Sequence, residues 1–285
     1  MRLSEFEYEN IQIKGYSEGG IRTSIIWPTL NLMFDMGSTF PGQIQYQNLL
    51  LTHSHLDHFA GLPYYISQRS LQRLPAPNVF VPEEIGDKVK KLLDLYSELE
   101  DFEYKYSLFP VKPGDRFTLN KNHFCIPHKS FHRVPSQGYT VYETRTKLKA
   151  EFRDLSPEEI KIKKETQEIT EKVDTPVLSF SGDSKIEYVL ENPDVRKAKI
   201  LFLECTYLDE TRDVARAREW GHIHLQEIAE HSSVFENERL VLIHFSQRYS
   251  FGEIRDLITK TLPKGLLDRV HLFLPHKNST KKDKS

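Results

Sequence analysis

The sequence predicts an α/β fold in which mixed β-sheets are covered by helices, and three observations carry that expectation. Short apolar runs bounded by turn residues alternate with amphipathic stretches of helical period through both halves of the chain. A length of 285 residues is enough to bury a substantial core. Hydrophobic residues at 38% and charged residues at 28% are globular proportions, which argue against disorder and against a membrane protein.

The first half reads as strands joined by turns: Ile11 to Lys14, Ser24 to Trp27, Asn31 to Asp35 and Asn48 to Thr52. From Phe59 to Arg73 the spacing of Leu62, Tyr65, Ile66 and Leu71 predicts an amphipathic helix. A second helix is expected from Pro82 to Leu99, with Ile85, Val89, Leu92, Leu93 and Tyr96 on one face. After Val141 the character changes, because Arg145 to Lys172 is dense in Lys and Glu; residues 145–172 read as a charged arm or insertion. Within it, SPEEIKIKKE starts as a helix, with Ser156 as N-cap, Pro157 in the first turn and Glu159 at the capping-box position. Beyond it, Pro176 to Phe180, Lys199 to Leu203 and Arg239 to Ile243 read as strands and Leu225 to His231 as helical. Residues 1–278 are read as one domain and 279–285 as a disordered tail.

No repeat of solenoid or propeller period is visible, and no stretch of about twenty apolar residues is present. The start, MRLSEFEYEN, has neither the basic-then-apolar order of a secretory signal nor the basic character of a transit peptide, so a cytoplasmic chain is expected. Cys125 and Cys205 sit in apolar runs, HFCIP and LFLECTY, and read as buried reduced thiols. The formal net charge of −2 at pH 7 is not that of a strongly basic nucleic-acid binder, so any RNA contact would need a local basic patch.

The segment LLLTHSHLDHFAGLP carries the chemistry. His53, His55, Asp57 and His58 fall within six residues, after a strand and before a helix. In extended chain, residues i and i+2 point the same way, so His53 and His55 can grip one ion, while Asp57 and His58 can face a second where the chain turns into helix. Imidazole nitrogen and carboxylate oxygen suit zinc, with manganese or iron as substitutes. Two ions need further ligands. His132 in FHRVPSQGY, Asp183 in SFSGDS and His244 in LVLIHFSQRY each follow an apolar run, where loops collect functional groups.

These motifs resemble the metallo-β-lactamase fold and, within it, the ribonuclease Z group. The family's HxHxDH signature stands as HSHLDH, and AGLPYYISQRSL is similar to the helix that follows it. FDMG matches an FDxG motif, making Asp35 a residue that orients a ligand histidine. HRVPSQGY matches H-x5-GY, which selects His132 over His128; SGD matches TGD, making Asp183 the metal-bridging carboxylate; IHFSQRY supplies His244. LECT stands for the family's HEAT motif, with Glu204 and Thr206, and GHIH for GHST, with His222 and an additional His224. The arm lacks the Gly/Pro-rich motif usual in the family.

The resemblance implies a four-layer αβ/βα sandwich of two mixed sheets. It also implies two divalent ions, one held by His53, His55 and His132, the other by Asp57, His58 and His244, with Asp183 bridging. The implied activity is that of a phosphodiesterase, an endoribonuclease acting on the 3′ end of precursor tRNA through a metal-activated hydroxide. Asp57 would take a proton, and His222, oriented by Glu204, would protonate the departing oxygen. Homodimers are common in the family. Arg133, Tyr139, Arg248 and Tyr249 lie close in sequence to the ligands and could bind phosphate or stack on a base. Two other classes compete: a hydrolase of small phosphodiesters, lactones or thioesters on the same scaffold, and a non-catalytic nucleic-acid-binding relative.

Overall fold

The computed structural model describes residues 3–275, so the tail expected at 279–285 lies outside the described residues. The first sheet runs in the order β1 (Ser4–Tyr8), β2 (Ile11–Gly19), β3 (Arg22–Trp27), β4 (Leu32–Phe34), β5 (Asn48–Leu50), β6 (Asn78–Pro82) and β7 (Ser107–Val111). Its first four strands are antiparallel and the steps from β4 to β7 are parallel. The second sheet repeats that logic. β8 (Phe117–Asn120), β9 (His123–Lys129), β10 (Gln137–Leu148) and β11 (Thr170–Phe180) are antiparallel, and β12 (Ile200–Glu204), β13 (Arg239–Ile243) and a last strand (Val270–Leu272) continue in parallel. Phe245–Ser246 crosses back to pair with β2, tying the two sheets at one end.

Side-chain alternation sets the layers. Along β3, Ile25 and Trp27 enter one core and Ile26 another; along β12, Ile200 and Phe202 enter the first core and Leu201 and Leu203 a third. The shared core holds side chains of both sheets, and one outer core on each side joins a sheet to its helices. Three stacked cores require four layers, helices, sheet, sheet, helices, as the resemblance implied. Phe34 stacks on Phe180 across the middle, with ring centroids 4.8 Å apart.

The helices differ from expectation in detail. The helix expected over Phe59 to Arg73 is α2 (Leu62–Leu71), shorter at both ends; a separate turn, α1 (Leu56–Phe59), precedes it, and between them the Gly61 N–H bonds to the Met36 carbonyl. The helix expected from Pro82 begins only at α3 (Gly86–Leu99), because Pro82 ends β6 and residues 83–85 form a 3₁₀ turn. The 145–172 arm is the outer half of a β-hairpin: β10 and β11 stay paired out to Leu148 and Thr170, and α4 (Pro157–Thr166) with no buried residue follows beyond. The Ser156–Glu159 capping box is formed. Cys125 and Cys205 are buried free thiols. Among the described residues, no helix is long and apolar enough to cross a membrane.

Candidate metal centre

Parallel strands deliver their C-terminal ends to one edge, and the polar residues that follow them collect there. Asp35 follows β4, Thr52 and His53 follow β5, Asp183 follows β11, Glu204 ends β12, and His244 follows β13. His55 is the N-cap of α1, and Asp57 and His58 lie in its first turn. His132 comes from the β9–β10 connection.

Two groups of side chains converge. His53, His55, His132 and Asp183 form one, and Asp57, His58, Asp183 and His244 the other; within each group the ligand atoms lie within 4.8 Å of one another. Asp183 divides its carboxylate between them. Its Oδ1 is 3.2 Å from His58 Nε2 and 3.3 Å from His244 Nε2, and its Oδ2 is 3.8 Å from His53 Nε2 and 3.9 Å from His132 Nε2. Two ligand atoms bound tetrahedrally to zinc at about 2.0–2.1 Å stand roughly 3.3 Å apart, so this spacing suits a shared cation better than direct bonding. His53 Nε2 and Asp183 Oδ1 are buried and make no hydrogen bond, which leaves both lone pairs for an ion. The residues fit divalent cations.

The other face of each imidazole is anchored. His58 Nδ1 bonds Asp35 Oδ2 at 2.7 Å, His244 Nδ1 bonds Thr206 Oγ1 at 2.9 Å, and His132 Nδ1 donates to the Gly221 carbonyl at 2.8 Å. His53 Nδ1 bonds Thr52 Oγ1 at 3.0 Å, and that hydroxyl donates to Asp35. Such outer partners fix the tautomer and aim Nε2 inward. His55 instead presents Nδ1, 3.1 Å from His132 Nε2.

Burial depresses the pKa of His53 well below the usual imidazole range and lowers those of His55 and His132, so the three imidazoles of the first group are neutral donors. On Asp183 burial opposes ionisation, but the His244 and His58 imidazoles outweigh it and hold the carboxyl well below the usual carboxylate range. His58 is raised well above its ordinary value, since the Asp183 and Asp35 carboxylates overcome its burial. The backbone contributes too. Asp35 and His244 hold left-handed φ values of 57° and 60°, and Gly182, at φ 57°, approaches Thr52 so closely that a Cβ would lie 2.6 Å from it.

Beside the second group stands a further pair. Glu204 is fully buried, and its Oε1 is 2.9 Å from His222 Nδ1 while its Oε2 accepts the Thr206 hydroxyl at 2.7 Å. The Ser184 N–H also donates to Oε1 at 3.0 Å. Burial would discharge His222, but the Glu204 carboxylate reverses this and lifts its pKa to about 9. With Glu204 on Nδ1, His222 keeps Nε2–H free to donate. These atoms and His244 would also accommodate an ion, but Thr206 already occupies His244 Nδ1.

Two of the residues suggested as substrate contacts are not on the surface. Tyr139 is wholly buried between the sheets, and its hydroxyl donates to the Leu51 carbonyl. Tyr249 packs in the outer core, accepting the Leu208 N–H and donating to Asp209. The expectation that either stacks on a base is therefore corrected: alternation along β10 turns Tyr139 inward, and the chain packs Tyr249 under the loop that carries Asp209. Arg133 and Arg248 are exposed. His224 caps the helix Leu225–Glu230 through the Gln226 N–H and is not part of the centre, and His128 lies outside both ligand groups. Thr52, Ser184 and Gly221 were missed by sequence reasoning. Thr52, the polar residue closing the apolar run LLLT, had the only signal.

Comparison with known proteins bears on the fold and the family. No family model matches the chain. It is 40% identical over 267 residues to tRNase Z TRZ1 of Arabidopsis thaliana, covering 93% of this chain and 95% of that protein. It is 38% identical over 261 residues to tRNase Z TRZ2, chloroplastic, of the same plant, covering 90% of this chain and 74% of that protein. Among solved structures, the metallo-β-lactamase fold protein YhfI of Bacillus subtilis superposes with a TM-score of 0.65 at 13% identity, over 93% of this chain and 97% of that one. The fold and the 40% identity over nearly the full length of tRNase Z TRZ1 agree: the chain has the metallo-β-lactamase fold and belongs to the tRNase Z family.

Proposed function

We propose that the chain is a metal-dependent endoribonuclease that hydrolyses a phosphodiester at the 3′ end of precursor tRNA, using two divalent cations, zinc by the chemistry of the donors. The observation that carries this reading is the Glu204–His222 pair, with His222 Nδ1 3.9 Å from the Asp183 carboxylate. A set of metal ligands alone serves many hydrolases. An imidazolium held beside it is suited to a poor leaving group such as a sugar alkoxide. The relatives named tRNase Z support RNA as the substrate.

His53, His55 and His132 would hold one cation and Asp57, His58 and His244 the other, with Asp183 between them. Cations bound there would supply Lewis acidity, acidifying water and neutralising charge on the phosphate. The chain's own groups do the rest. Asp57 Oδ2, 3.5 Å from His244 Nε2 and partly open to solvent, is placed to accept a proton. Glu204 holds His222 protonated, and His222 Nε2–H protonates the departing oxygen.

The test is incubation of the purified protein, with zinc or manganese, with a 3′-extended precursor tRNA and mapping of the cut on a gel. A discrete cut near the 3′ end of the acceptor stem is expected. Asp183→Ala should abolish it while far-ultraviolet circular dichroism stays unchanged. Intact RNA with the native protein, or equal turnover in the variant, contradicts the proposal.

A further inference from the structure

The chain has two tryptophans, used in opposite ways. Trp27 is 3% exposed in the shared core, whereas Trp220 is 42% exposed at the end of the helix Val214–Trp220. Its neighbours are parts of the centre. The next residue, Gly221, adopts φ 78° and gives its carbonyl to His132 Nδ1, and the one after is His222. Arg133, which follows His132, sets its guanidinium 5.5 Å from the indole centroid, and Arg216 sets its own at 5.3 Å. Arg216 is neutralised by Glu219 at 2.6 Å. Arg133 has no hydrogen-bond or ion-pair partner for its side chain among the described residues.

A half-exposed indole with two guanidiniums within 5.5 Å of its ring centroid, two residues before the group that protonates a leaving sugar oxygen, has the chemistry of a nucleotide platform. The ring offers a stacking face that tolerates any base, and the uncompensated arginine offers a phosphate contact. Resting on the endoribonuclease reading above, we infer that Trp220 stacks on the base of the nucleotide whose sugar oxygen departs, with Arg133 on the adjoining phosphate. Trp220 is thus a binding residue that presents this nucleotide to His222.

Steady-state cleavage of a 3′-extended precursor tRNA tests this, combined with an abasic substitution at the nucleotide carrying the departing oxygen. Trp220→Ala should raise KM about 5- to 100-fold, with kcat changed by less than about threefold, and Trp220→Phe should recover most of the loss. The abasic RNA should lose a similar factor with the native protein and less than about twofold with Trp220→Ala, since the partner is already gone. Mixing with RNA should quench tryptophan emission in the native protein, and the quench should vanish in Trp220→Phe. An unchanged KM in Trp220→Ala, or equal abasic losses in both proteins, overturns the inference while leaving the endoribonuclease reading in place. Failure of the native protein to cut RNA removes both.

Discussion

At the scale of the residue, the centre depends on what stands behind each ligand. Thr52 joins Asp35 to His53, and Asp35 also holds His58, so one carboxylate steadies an imidazole in each group. Thr52→Val should weaken zinc binding about 10- to 100-fold without removing any ligand, measured by competition with a chromogenic chelator; unchanged affinity would deny Thr52 this role. Glu204→Gln removes the charge that does most to lift His222 against its burial, so its pKa falls although the Asp183 carboxylate remains. The imidazolium is then lost at lower pH, so the alkaline limb of the kcat profile should move to lower pH, while a merely structural role would scale the profile without moving it. Tyr139→Phe strands the Leu51 carbonyl and the Gln137 amide, both bonded to the Tyr139 hydroxyl. It should cost about 1–3 kcal/mol in denaturant unfolding and leave KM for RNA unchanged. The convergent histidines and carboxylates were legible because imidazoles and carboxylates at strand ends have a distinctive pattern. Thr52 and Gly221 were not, since a threonine hydroxyl and a backbone carbonyl acquire their roles only when distant strands meet.

At the scale of the element, legibility followed burial. β12 and β13 lie between two cores and read as continuous apolar runs, so their bounds fall within a residue of those expected. The outer halves of β10 and β11 are solvated on both faces, which erases the alternation and hides six residues at the start of β11. The same exposure makes the arm separable. Replacing residues 149–169 by a two-residue Asn–Gly turn removes Phe152 and Ile169 together with the tip they cover and keeps the paired strands below. The shortened protein should unfold within a few degrees of the native one by calorimetry and retain its bound metal. A collapse of the fold would show that the arm is part of the core.

At the scale of the molecule, the centre is a seam. Sheet one and α1 bring Asp35, His53, His55, Asp57 and His58; sheet two and its loops bring His132, Asp183, Glu204, His222 and His244. Beneath the seam, Phe34 and Phe180 stack one residue before Asp35 and three before Asp183. Phe180→Ala should therefore cost about 3–5 kcal/mol of stability and also loosen metal binding, because the cavity lies where the two ligand sets are registered; a stability loss with native metal affinity would separate the core from the centre. That registration was beyond the reach of local pattern, since it is made by side chains far apart in sequence.

The central claim is that Asp183 stands between two cations. Anomalous diffraction at the zinc edge from crystals grown with zinc measures it most directly. Two peaks about 3.5–4 Å apart, one beside His53, His55 and His132 and one beside Asp57, His58 and His244, are expected. A single peak, or a second one lodged between Glu204 and His222, would contradict the account.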